Sequence, residues 1–113
     1  VKLLGVRSMF YDAVYNLCEN AIKYNRENGE VLLEIFEKEE HPIVRVTDTG
    51  IGIPPEHQER IFERFYRVDK SHSRQTGGTG LGLSIVKHVV EYHGGYIEIH
   101  SREGAGTVIT LHF

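Results

Sequence analysis

Apolar residues recur through RSMFYDAVYNLCENAIKYN (7–25) at Phe10, Ala13, Val14, Leu17, Cys18, Ala21 and Ile22. Steps of three and four predict an amphipathic helix with one apolar stripe, and Ser8 is placed to cap its start. NRENGE (25–30) supplies turn chemistry. In EVLLEIFEKEEHPIVRVTD (30–48), Leu33, Ile35 and Phe36 precede a tight polar connection and Ile43, Val44 and Val46 follow it, which predicts a β-hairpin. The polar stretch 49–80 reads as a loop in which Pro54 and Pro55 open a short helix over 55–61; a loop this long in a small domain usually carries function. LGLSIVKHVVEYHGG (81–95) is helical again, with Leu81, Ile85 and Val89 in one row, Val86 and Val90 beside it, and Gly94 or Gly95 just past its end. YIEIHS and GTVITLHF alternate and form a closing pair of strands around REGAG. The order helix, hairpin, loop, helix, hairpin predicts an α+β fold, with helices packed on one face of an antiparallel or mixed sheet.

Composition narrows what such a domain does. The chain has 113 residues, enough for one core, with 40% hydrophobic and 26% charged residues and a formal net charge of −3. That balance argues against a general nucleic-acid binder and against a polybasic membrane-surface protein. The one cysteine, Cys18, has no intrachain partner and sits in the apolar stripe, a packing role that fits a reducing compartment. No apolar run approaches membrane-spanning length, and no stretch reads as a signal peptide.

Three clusters carry candidate chemistry. GGTGLGLS (77–84) crowds glycines ahead of a helix. It is not a dinucleotide fingerprint: counted from Gly78 the last required glycine is Leu83, and from Gly80 it is Ile85. It is not a lysine-bearing phosphate loop either. A G-x-G-x-G run opening a helix suits an anion, and equally suits a structural turn. On the first helix, Asn16, Glu19, Asn20 and Lys23 form a stripe beside the apolar face. Two amide oxygens one turn apart can serve a hard cation and the ammonium a phosphate; a solvated face is the plainer reading. In DTGIGI (48–53), Asp48 stands at a strand end before two glycines, either as an acceptor for an exocyclic amine or as an Asx turn.

Together these pieces resemble the catalytic and ATP-binding domain of sensor histidine kinases, in the GHKL ATPase superfamily. NLCENAIKYN is similar to the N box, DTGIGI to the first glycine box, IFERFYRVD to the F box, GTGLGLSIV to the second glycine box and EGAGT to the third. The resemblance covers nearly the whole chain. It implies a two-layer α/β sandwich of the Bergerat type, a mixed, largely antiparallel sheet of about five strands on about three helices, with 1–113 a single catalytic domain.

It also implies roles. Asn20 would ligate Mg²⁺ with Asn16 assisting, Lys23 would meet phosphate, and Tyr24 would stack near adenine. Asp48 would accept from adenine N6, Gly50 and Gly52 would admit the base, Ile53 would line its pocket, and Thr107 would support Asp48 through water. Residues 66–80 would form a lid. Arg67 and Arg64 would reach the terminal phosphates, and Gly78, Thr79, Gly80, Leu81, Gly82 and Leu83 would close the site. Phe62 and Phe65 would help dock a helical partner domain.

Hydrolytic members of the superfamily carry a glutamate where this chain has Asn16, and they lack the F box. An amide cannot activate water as a base, so both features favour phosphoryl transfer. None of the seven histidines stands in the context of a phosphoacceptor, and Val6 replaces an aspartate common near the domain start. The expectation is therefore the ATP half of a protein-histidine kinase. Its dimerisation and phosphoacceptor domain and its sensor domain lie outside this segment, a response regulator lies downstream, and the domain is cytoplasmic in a membrane-anchored protein. The rivals are a hydrolytic ATPase or nucleotide-gated clamp, and a nucleotide-free scaffold.

Overall fold

The first helix, α1, runs Arg7–Lys23, and its start is set by tertiary contact instead of a side-chain cap. In this computed structural model, which describes residues 5–64 and 82–113, the N-cap is Val6, in extended conformation and with no side-chain cap bond. Ser8 therefore lies inside the first turn and does not cap it. The Val6 carbonyl accepts from Met9 and Phe10, its N–H reaches His93 Nε2 at 3.4 Å, and the Phe10 ring lies 4.4 Å from the His93 ring. The far end of the chain thus fixes where α1 begins. Ala13, Leu17 and Ala21 are its buried residues, and the small alanines on either side of Leu17 let the helix approach its neighbours closely.

The predicted hairpin is present as β1 (Val31–Lys38) and β2 (His41–Asp48), antiparallel with Val31 opposite Asp48 and Lys38 opposite His41. The tight connection is Glu39–Glu40, with φ of 52° and 68°. Positive φ at both central residues matches a type I′ turn, whose twist suits the flanking strands but which normally selects Asn-Gly. Pro55–His57 forms one turn of 3-10 helix, shorter than the predicted 55–61 element.

The second helix, α2, spans Gly82–Tyr92 and buries Val86, Val89 and Val90. It ends in a Schellman motif: the Gly95 N–H bonds the Val90 carbonyl at 2.9 Å and the Gly94 N–H bonds Glu91 at 3.0 Å. β3 (Tyr96–Arg102) and β4 (Gly106–His112) close the chain. The sheet order is β1-β2-β4-β3, so the last strand inserts between the hairpin and β3.

The α+β class is as expected. Among the described residues the sheet has four strands, all antiparallel, and two α-helices cover one face, where the resemblance implied about five strands and three helices. Val44, Val46, Ile109 and Leu111 from that face meet Ala13, Leu17 and Ala21 and the three α2 valines to make the core. Leu33 and Ile35 share the same face, yet they are 41% and 52% exposed because β1 is the sheet edge, beyond the cover of the helices. Among the described residues no helix is long and apolar enough to cross a membrane.

Two non-glycine residues with positive φ leave the β1–β2 turn open to improvement. Replacing Glu39 and Glu40 together by Asn and Gly is expected to stabilise the domain by about 1–2 kcal/mol, read as a shift in the urea midpoint at unchanged slope. An unchanged midpoint would mean that the turn carries no strain.

Candidate functional site

Asn16, the first residue of the α1 stripe, faces the start of α2. Asn16 donates from Nδ2 to the Asp12 carbonyl at 2.7 Å, which commits its nitrogen and leaves Oδ1 outward. Gly82, the first residue of α2, stands so close that a Cβ there would lie 3.2 Å from Asn16 Oδ1. The helix that resembles the N box and the middle of the segment that resembles the second glycine box, far apart in sequence, are therefore neighbours. Asn20 is half-buried, and its amide has no hydrogen bond among the described residues.

Lys23 is engaged. Its ammonium lies 2.8 Å from Glu19 one turn back. That hydrogen bond, with a second from the Tyr15 hydroxyl, holds the Glu19 carboxyl below the usual carboxylate range, and Glu19 in turn pushes the Tyr15 phenol up. A partly solvated pair of this kind contributes little to stability, so the ammonium is available to a stronger anion.

The second half of the site is built at the end of β2. Asp48 pairs across the sheet with Thr107 of β4. Asp48 Oδ1 accepts from the Gly50 N–H at 2.9 Å, and the Thr107 backbone N–H also supports the carboxylate. Burial pushes the Asp48 carboxyl above its ordinary range, and these two donors only partly offset that. Gly50 is buried against the Tyr24 carbonyl, where any side chain would collide, and Gly52 turns the chain at φ 73° against the Arg102 carbonyl.

The backbone of this loop is fastened at nearly every polar group. The Ile51 N–H bonds the Tyr24 carbonyl, and the Ile51 carbonyl accepts from the Gly104 N–H at 2.7 Å. The Gly50 carbonyl accepts from Arg26. The Ile53 N–H donates to Ser101 Oγ at 2.8 Å, and the Ile53 carbonyl accepts from Gln58. Ser101 donates its one hydroxyl proton to the Gly106 carbonyl, so the Thr107 hydroxyl, 2.8 Å away, donates to Ser101 and keeps lone pairs for another donor. Thr107 is only 6% exposed.

The remaining expected residues fall into three groups. Tyr24 caps α1 at its C-terminal end and is half-buried, as is Ile53. Leu83, in the first turn of α2, packs its side chain against the core, and so does Phe62. Arg64 is exposed. Phe65, Arg67, Gly78, Thr79, Gly80 and Leu81 lie outside the described residues. Sequence reading missed Arg26, Gln58 and Ser101, which bond backbone groups and a hydroxyl of distant segments, contacts that no local pattern marks.

The two halves fit a nucleotide. A half-buried carboxylate beside side-chain-free backbone suits a flat base carrying an amine. The amide oxygens of Asn16 and Asn20 are neutral, so a hard cation there would draw its counter-charge from phosphate, as Mg²⁺ sites commonly do.

Residues 5–113 match the family described as histidine kinase-, DNA gyrase B-, and HSP90-like ATPase. The chain is 46% identical over 113 residues, its whole length, to the phosphate regulon sensor protein PhoR of Pseudomonas aeruginosa, and spans 26% of that protein. Among solved structures it is similar to the mycobacterial sensor histidine kinase MprB, with TM-score 0.82 and 34% identity over 96% of this chain and 72% of that one. It is also similar to full-length ShkA in complex with AMPPNP, with TM-score 0.78 and 30% identity over 92% of this chain and 21% of that one. The chain spans about a quarter of the length of the curated relatives it matches first.

A carboxyl whose pKa is higher in the folded than in the unfolded chain binds more protons when folded, between the two values. Ionised Asp48 therefore costs stability above its folded pKa, and the cost disappears as pH falls below the unfolded one. Without nucleotide, Asp48→Asn is expected to melt no lower than the wild type at neutral pH, with any advantage vanishing as the pH is lowered through the Asp48 titration. A variant clearly less stable at neutral pH would mean that the Gly50 and Thr107 bonds outweigh burial.

Proposed function

We propose, for a chain that belongs to the family of histidine kinase-, DNA gyrase B- and HSP90-like ATPases and within it to the catalytic domains of sensor histidine kinases, that this domain binds Mg·ATP and presents its γ-phosphoryl to a histidine on a separate helical domain. The observation that carries this reading is that one helix serves both half-sites: the glycine loop that holds Asp48 is seated on the Tyr24 carbonyl at the end of α1, and Asn16 on the same helix faces the first residue of α2.

The residues divide the work along the nucleotide. The Asp48 carboxylate accepts from the exocyclic amine of adenine, and Thr107 supports it through water. Guanine presents a carbonyl oxygen at that place and would face the carboxylate acceptor to acceptor. Gly50 and Gly52 admit the ring, with Tyr24 and Ile53 at its edges. Lys23 exchanges Glu19 for phosphate. Asn20, assisted by Asn16, directs an amide oxygen to Mg²⁺, whose charge supplies stabilisation of the transferring phosphoryl. Arg64 and Arg67 serve the terminal phosphates, and Gly78, Thr79, Gly80, Leu81, Gly82 and Leu83 close the site beside them.

Asn16 orients and does not act as a base, which favours transfer over hydrolysis. Phe62 and Phe65 face the dimerisation and phosphoacceptor domain. Phe62 does so while its ring also packs on the core. In the whole protein the phosphoryl group passes on to a response regulator, and this domain sits on the cytoplasmic side of a membrane-anchored sensor.

Calorimetric titration tests the reading. The wild-type chain is expected to bind one ATP, more tightly with Mg²⁺, with negligible phosphate release and almost no self-phosphorylation. Loss of one charge-assisted hydrogen bond in Asp48→Asn should weaken ATP by about ten- to a hundredfold. A change below about threefold would place the base elsewhere. Sustained phosphate release abolished by the same substitution would establish a hydrolase, and a melt unmoved by saturating Mg·ATP would establish a nucleotide-free scaffold.

A further inference from the structure

Arg26 lies in the turn after α1, outside every motif of the sequence, and it joins two loops that come from distant parts of the chain. Its Nη2 donates to the Gly50 carbonyl at 3.0 Å and to the Gly104 carbonyl at 2.5 Å. Gly50 follows Asp48 by two residues, and Gly104 is in the turn between β3 and β4. Gly104 in turn gives its N–H to the Ile51 carbonyl at 2.7 Å, so the loop and the turn are tied in both directions, with Arg26 across them.

The position of these bonds matters. The Gly50 N–H belongs to the peptide plane that Asp48 holds through Oδ1. The Gly50 carbonyl belongs to the next plane. Only the two backbone torsions of a glycine link them, and glycine has the widest conformational freedom of any residue. Asp48 fixes the first plane, and two bonds hold the second from its two sides: the Ile51 N–H on the Tyr24 carbonyl, and Arg26 on the Gly50 carbonyl. Without the guanidinium, nothing else among the described residues holds the Gly50 carbonyl. The Arg26 bonds are charge-assisted, and a guanidinium keeps its donors in a fixed planar fork that a lysine lacks.

We propose that Arg26 is a positioning residue for the nucleotide base: by fastening the Gly50 and Gly104 carbonyls it holds the glycine loop in the shape from which Asp48 recognises an aminopurine. The inference rests on the nucleotide reading above. Arg26 itself touches neither base nor phosphate in this arrangement.

A double-mutant cycle tests it, with ATP and ADP affinities measured by calorimetry or by competition, below the melting temperature of every variant. Arg26→Ala is expected to weaken ATP by about three- to tenfold, less than the loss of Asp48 because the guanidinium is solvent-exposed. ADP should weaken by the same factor, with little change between low and high salt. Arg26→Lys should recover only part of the loss. In an Asp48→Asn background the further loss should fall below about twofold, since the contact being positioned is already gone.

Unchanged affinity in Arg26→Ala would overturn the proposal. So would an equal loss in the Asp48→Asn background, which marks a general structural role, or a salt-screened loss larger for ATP than for ADP, which marks a direct phosphate contact. Failure of the wild type to bind ATP would instead remove the nucleotide reading itself.

Discussion

A carboxylate half out of water sets the terms for this domain. Asp48 ends β2 where that strand lies between its hairpin partner and β4, so its side chain cannot turn freely into solvent. Two backbone donors, from Gly50 and Thr107, replace part of the lost hydration. Both depend on geometry made elsewhere. Thr107 is opposite Asp48 only because β4 inserts beside β2. Gly50 reaches back only because its backbone can press against the Tyr24 carbonyl at the end of α1. The sheet order, the end of the first helix and the glycine loop are thus consequences of one requirement: to keep a carboxylate usable while it is half-buried.

The helix α1 answers a second requirement, which is to serve two environments at once. Ala13, Leu17 and Ala21 fix it in the core, and a fixed helix gives Asn16 and Asn20 a defined direction. Asparagine is a poor helix former, so two of them one turn apart are a local cost that the tertiary packing of Leu17 offsets. Because Asn16 ties its nitrogen to the backbone one turn earlier, its oxygen is the atom left for α2 and whatever lies there. The core is what gives a chemically plain amide a fixed direction.

Much of this was legible in the chain, and the reasons differ by element. Both α-helices showed through three- and four-residue apolar spacing, and both hairpins through alternation, because burial on one face leaves a periodic trace. The Gly94–Gly95 helix stop showed because glycine has few other reasons to stand there. The start of α1 did not, since Val6 is held by His93, nearly the whole chain away. The tight connection at Glu39–Glu40 showed, but its backbone type did not, because its residues are not those its backbone prefers. Exposure of Leu33 and Ile35 was invisible too, as edge position follows from strand order, which no local pattern encodes. At the candidate site, Asn16, Asp48 and Gly82 stood out through motif spacing. Arg26, Gln58 and Ser101 did not, because a side chain that bonds a distant backbone carbonyl needs only reach and a donor, and many residues have both.

The same contrast bears on how the site is organised. Groups that the proposed function gives to a ligand are under mild tension in the resting domain: Asp48 is partly stripped of water, and the Asn20 amide lacks a partner among the described residues, while Lys23 rests in a weak pair with Glu19. Groups that hold the loop are satisfied. The Gly50, Ile51 and Ile53 backbones are bonded through Arg26, Gly104, Tyr24, Ser101 and Gln58. A ligand bearing an amine at one end and a polyanion with its cation at the other would relieve each tension in turn without disturbing the satisfied set. Binding to the folded state alone then adds directly to its stability. The stability withheld at Asp48 in the free domain is what such a ligand would restore.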